Sequence, residues 1–122
     1  MFTVEFYSTP DGKEPVALFL DSLDTKMRAK LISLLELLEE KGTSLRMPYS
    51  SYLDDGIFEL RCIQGSNITR VLYFFYVGEK IIITNGFIKK TQKTPVKEIR
   101  LAKNRRDDWI KRNMTEKGAD KG

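Results

Sequence analysis

Three apolar runs follow one another almost without interruption between residues 57 and 88: "IFELRCI" (57–63), "TRVLYFFYV" (69–77) and "KIIITNGFI" (80–88). Each is rich in the β-branched and aromatic residues that strands favour, and the short links "QGSN" and "GE" suit antiparallel reversals. A chain carrying this block is committed to an antiparallel meander. The rest of the sequence must supply its cover.

Upstream, "FTVEFYS" (2–8) alternates as a first strand, with Phe2, Val4 and Phe6 on one face. "TPDGK" reads as a turn, and Pro15 suits the first turn of a short helix. Val16, Phe19, Leu20 and Leu23 form its apolar stripe. Asp24 is placed to cap a second helix that Gly42 ends, with Met27, Leu31, Leu34, Leu35 and Leu38 on the buried face. Residues 43–56, "TSLRMPYSSYLDDG", look irregular. A last amphipathic helix starts near Pro95 and runs to about Arg112, anchored by Val96, Ile99, Ala102, Trp109 and Ile110. The polar tail over 114–122 is expected to be disordered, leaving one domain over 1–113. The order β-α-α-β-β-β-α makes an α+β domain, a helical hairpin on a sheet.

Composition narrows the chemistry. The sequence of 122 residues has no histidine and one cysteine. That removes the usual general acid–base residue and argues against a zinc or iron site, so neither a metal nor a cofactor is expected. Cys62 can form no intramolecular disulfide and reads as a small buried hydrophobe, consistent with a reducing cytoplasm. No apolar run approaches a membrane span, and the N-terminus lacks a signal-peptide layout. The net charge of +4 is unevenly spread. Residues 1–55 hold 6 Lys/Arg and 10 Asp/Glu, whereas residues 56–122 hold 15 and 7. A basic surface built by the second half suits a polyanion, although a solvated basic helix would have the same composition.

A turn centred on Gly65 and Ser66 would set Arg61 opposite Arg70. Like charges across a sheet repel, and two guanidiniums side by side suit a bound phosphate. The competing reading gives Arg61 an ordinary surface pair with Glu59 on the same open face. Beyond the third strand, "NGFIKKTQKTPVKEI" (85–99) places Lys89, Lys90, Lys93 and Lys97 at a helix start, where unpaired N–H groups also favour anions. Lys90, Lys93 and Lys97 share one helical face. Tyr73 and Phe87 could stack bases or pack in the core, while Phe74, Phe75 and Trp109 belong to the core.

"FELR", "RVLYFFY" and "GFIKKTQKTPVKEIRLAK" resemble the signature blocks of the HigB-like, phage-derived branch of the RelE/ParE toxin superfamily, over roughly residues 2–112. The resemblance implies a RelE-like fold, a curved antiparallel sheet with two helices on one side. It implies the toxin of a toxin–antitoxin module, an endoribonuclease that cleaves mRNA in the ribosomal A site and inhibits translation. It further implies a HigA-like helix-turn-helix antitoxin as partner in a hetero-oligomer. By position, Arg61 and Arg70 match the basic strand residues near the scissile phosphate, and Lys89, Lys90 and Lys93 match the block beside it. Lys90, clustered with other cations, is the expected acid or base, with Arg61 and Arg70 stabilising charge. Lys89, Lys93, Lys97, Tyr73 and Phe87 would contact RNA. Two other readings stay open: a ParE-like inhibitor of DNA gyrase, and an RNA-binding module without catalysis.

Overall fold

A computed structural model of the chain describes residues 1–89 and 93–121, and the side chains of all of these except Lys89 and 115–121. The elements are β1 (Thr3–Phe6), α1 (Pro15–Ser22), α2 (Thr25–Lys41), β2 (Ser50–Asp54), β3 (Ile57–Gln64), β4 (Asn67–Tyr76), β5 (Lys80–Lys89) and α3 (Val96–Lys121). They form an α+β domain on one five-stranded sheet of order β1-β5-β4-β3-β2. The expected order therefore holds, with one strand added.

That strand, β2, lies in the stretch that looked irregular. It reaches β3 through a two-residue turn, Asp55–Gly56, in which both residues have positive φ (50° and 80°). An Asp-Gly pair in this conformation matches the twist of the strands it joins. The sheet also departs from a purely antiparallel one, because β1 pairs in parallel with β5. The α1–α2 excursion carries the chain from this edge of the sheet to the opposite one, where β2 lies. α3 runs to Lys121, beyond the end near Arg112 that the apolar spacing predicts.

The α1–α2 hairpin is tied at its corner. Asp24 Oδ1 accepts from the Met27 N–H at 2.8 Å, the expected cap. Arg28 on α2 donates to the carbonyls of Leu20, Asp21 and Leu23 around the end of α1, where Leu20 also accepts from the Leu23 N–H. Gly42 closes α2 at φ +53°, and a Cβ there would meet the Phe2 ring at 2.0 Å. Only glycine fits.

Strand alternation divides the sheet into two buried faces. Leu60, Cys62, Val71, Tyr73, Ile81 and Ile83 pack under α1 and α2. Ile57, Leu72, Phe74, Ile82 and Phe87 pack under α3, with Ala102 and Trp109. Val96, expected as an anchor, is 62% exposed, and the first buried side chain of α3 is that of Ala102. A register shift between Leu72 and Tyr73 inserts Thr84 in β5 and turns Asn85 and Phe87 towards α3. At the other end Tyr7 donates to Asp108 Oδ2 at 2.7 Å, beneath the guanidiniums of Arg105 and Arg112.

Candidate nucleic-acid interface

The β3–β4 hairpin turns at Gly65–Ser66, and Arg61 pairs directly with Arg70. The two side chains leave the sheet on the α3 face, together with Glu59. This face is covered rather than open. Arg70 is fully buried and Glu59 is 2% exposed. The Arg61 side chain, at 14% exposure, keeps part of its surface at the rim.

Glu59 is shared by both arginines. Its Oε1 lies 3.5 Å from Arg61 Nε and its Oε2 lies 3.5 Å from Arg70 Nη1. Arg70 Nη1 also donates to Thr94 Oγ1 at 3.2 Å, and the Thr94 hydroxyl in turn donates to Glu59 Oε2. Repulsion between the guanidiniums is thus offset from within by one carboxylate, leaving a net single positive charge. The surface pair expected between Arg61 and Glu59 is corrected to a buried three-residue ionic cluster. Desolvating these groups is costly, and it becomes tolerable because each charge meets an opposite one and Thr94 bonds both Glu59 and Arg70.

Thr94 brings the basic segment to this cluster. It is 7% exposed, although Lys93 on one side and Lys97 one turn further on are both exposed. The start of α3 is fixed by Asn85, whose Nδ2 donates to the Glu98 carbonyl at 3.2 Å and to Glu98 Oε1 at 3.0 Å. Arg105 Nη1 donates to the Thr84 carbonyl at 2.9 Å. Further along, Lys103 pairs with Asp54 and Arg106 with Asp55, so the β2–β3 turn neutralises the middle of α3. Cationic surface is thereby concentrated at its first turns, around Lys93, Lys97 and exposed Arg100. The helix N-terminus adds its own unpaired N–H groups there.

The other predicted residues separate. Lys90 and the Lys89 side chain lie outside the described residues. Tyr73 is 1% exposed, stacked on Phe58 with its hydroxyl 2.5 Å from Ser50 Oγ; Phe87 is 8% exposed. Neither ring can receive a base, and both belong to the core. Burial raises the Tyr73 hydroxyl above its ordinary value, so it is no candidate base at neutral pH. Burial likewise pushes the Cys62 thiol up. Among the described residues no group of three or more carboxylates or cysteines is arranged to hold a metal ion, and no helix is long and apolar enough to cross a membrane.

Thr94 and Asn85 are what reading the sequence missed. The signal for Thr94 is faint, a hydroxyl residue just before the proline that opens α3. Asn85 carries none, since only the shift in β5 turns it towards Glu98. The family model described as phage derived protein Gp49-like (DUF891) matches residues 18–107, from within α1 to within α3. No curated protein matches the chain.

Proposed function

The chain belongs to the phage derived protein Gp49-like family, a RelE/toxin-like family, and from that premise we propose that it is the toxin of a toxin–antitoxin module acting as a ribosome-dependent mRNA endoribonuclease. The observation that carries the reading is the Arg61–Arg70 pair docked by Thr94 against the start of α3. In this reaction the RNA supplies its own nucleophile. The 2′-oxygen attacks the adjacent phosphorus, the 5′-oxygen of the next nucleotide leaves, and a 2′,3′-cyclic phosphate remains. The protein has to hold the phosphate in line and meet the developing negative charge with donors already in place.

In this reading the two arginines divide the work. Arg61, at the rim, is the one that reaches phosphate. Arg70, fully buried, is a positioning residue: it holds Glu59, and Glu59 orients Arg61. Lys93 and Lys97 steer the RNA backbone towards the rim, and Lys89 and Lys90, in the preceding segment, are assigned to the same work, with Lys90 moving the proton. A HigA-like helix-turn-helix antitoxin encoded beside the gene is proposed to bind the toxin and hold it inactive. A second reading, an RNA-binding module without chemistry, draws on the burial of Arg70, because only one strand arginine is left to touch a phosphate.

Polysomal mRNA incubated with the chain, its new ends mapped, tests the reading when run beside a DNA-supercoiling assay. The nuclease reading predicts cleavage with cyclic or 3′-phosphate ends and unchanged supercoiling. Intact mRNA with retained RNA binding leaves the second reading, and blocked supercoiling points to gyrase. Cleavage leaving 3′-hydroxyl ends rules out attack by the 2′-oxygen.

A further inference from the structure

A hollow of about 350 Å³ opens between the first turns of α3 and the end of β2. Val96, Ile99, Arg100 and Lys103 line it from α3, one helical stripe at i, i+3, i+4 and i+7. Asp54 lines it from β2. The stripe gives exposed Val96 a place, as one apolar wall of the hollow with Ile99 as the other. Apolar walls with a few polar groups to fix orientation are the usual make-up of a ligand subsite.

The polar groups are one acid and one base. Lys103 Nζ lies 2.5 Å from Asp54 Oδ2, so Asp54 Oδ1 takes no hydrogen bond from the described residues and Lys103 keeps further N–H donors. The Asp54 side chain is 59% exposed, which leaves its carboxylate open to a ligand. Arg106 also fastens this corner, through the Asp55 carboxylate and carbonyl. Arg100 is exposed, has no ion-pair partner among the described residues, and follows exposed Lys97 by one turn.

We infer that this hollow receives one base of the bound RNA, and that Asp54 selects a base carrying an amino group over uracil. The inference rests on the RNA reading of the Arg61 rim. Asp54 pairs with Ile57, four residues before Arg61, so the hollow lies about 13 Å along the strand from Arg61. A short run of nucleotides spans that distance. The phosphates stay outside with Lys97 and Arg100, because Asp54 repels them.

Inside, an ionised carboxylate accepts hydrogen bonds and donates none. Cytosine and adenine each offer an amino group to Asp54 and the ring nitrogen beside it to Lys103. Guanine offers its N1–H and amino group to Asp54 and its O6 to Lys103. The one N–H of uracil lies between two carbonyl oxygens, so the second Asp54 oxygen meets an acceptor. Val96 and Ile99 give any of the rings an apolar wall, and the planar guanidinium of Arg100 can stack on it.

Mapping the ends of polysomal mRNA cut by the wild type and by Asp54→Asn tests the inference. One position near the cut should show uracil about fivefold or more below its frequency in the mRNA. Asp54→Asn, whose amide donates as well as accepts, should remove that bias. The readout is a ratio within one protein, so partial unfolding of the variant does not mimic it. Cleavage without a bias against uracil, or with a bias that Asp54→Asn leaves intact, overturns the inference while the nuclease reading stands. Where no mRNA is cut the nuclease reading falls, and binding of oligouridine, oligocytidine and oligoadenosine of equal length decides. Weaker binding of oligouridine that Asp54→Asn abolishes retains the subsite. Equal binding of the three, or none, overturns it.

Discussion

The hydroxyl of Thr94 donates to the buried carboxylate of Glu59, 35 residues earlier in the chain. That bond, beside the one Thr94 accepts from Arg70, fastens the segment ahead of α3 to the strand that carries Arg61. The active surface proposed for this protein is thus assembled from two distant pieces joined at Thr94.

Thr94→Val keeps the shape and removes the donor. Glu59 would keep its arginines and lose one hydrogen bond to its ionised oxygen, a loss of about 1.5–3 kcal/mol. Urea unfolding should show a lower midpoint at unchanged slope. RNA binding should weaken along with it, because the segment ahead of α3 loses its bonds to Glu59 and Arg70. A variant with wild-type stability would mean that Thr94 does not bond Glu59 in solution.

Arg70→Met leaves Glu59 ionised beneath α3 with Arg61 alone. Removing one partner of a buried pair costs about 3–5 kcal/mol. Adding Glu59→Gln takes away the stranded charge, so the double variant should recover a substantial part of the loss. Thermal unfolding of the two single variants and the double variant measures this coupling. The repulsion expected across the hairpin predicts the opposite, a small gain for Arg70→Met, and that gain would contradict the buried cluster.

Tyr7 sets a pH dependence at both ends of the range. Its hydroxyl is raised above the ordinary value of 10.0, first by burial and then by its bond to Asp108. A raised folded value adds stability that is complete below pH 10 and is lost as pH climbs through the folded value. Asp108 is lowered from its ordinary 3.8, first by the Tyr7 hydrogen bond. Its contribution is present above about pH 4 and disappears as pH falls through the lower folded value. Tyr7→Phe should cost about 1 kcal/mol at neutral pH and flatten both limbs of a stability–pH curve. Limbs as steep as in the wild type would contradict this assignment.

Much of this was legible in the sequence because the signals were local. The meander over 57–88, the caps at Asp24 and Gly42, and the Arg61–Arg70 register all follow from alternation and turn residues within a few positions. β2 was legible too, since Asp55–Gly56 between alternating residues is a strong hairpin signal, but Met47–Pro48 and the paired serines masked it. The direction of β1 was not, because pairing with β5 is decided 77 residues later in the chain, at Lys80 opposite Thr3. Nor was the burial of Arg70 and Glu59 legible. "FELR" reads the same whether its charged face meets water or a helix, and α3 decides that from the far end of the sequence. Tyr73 and Phe87 followed the more ordinary fate of aromatic residues in a central strand.

The central claim is that Arg61 acts on the phosphate while Arg70 serves the fold. Polysomal mRNA cleavage by Arg61→Ala, read beside its thermal midpoint, tests it most directly. Losing one donor from a pre-organised anion site costs about two to three orders of magnitude in rate, and because Glu59 keeps Arg70 and Thr94 as partners the midpoint should stay within a few degrees of wild type. An Arg61→Ala protein that cleaves at the wild-type rate, or that loses cleavage only by unfolding, would contradict the account.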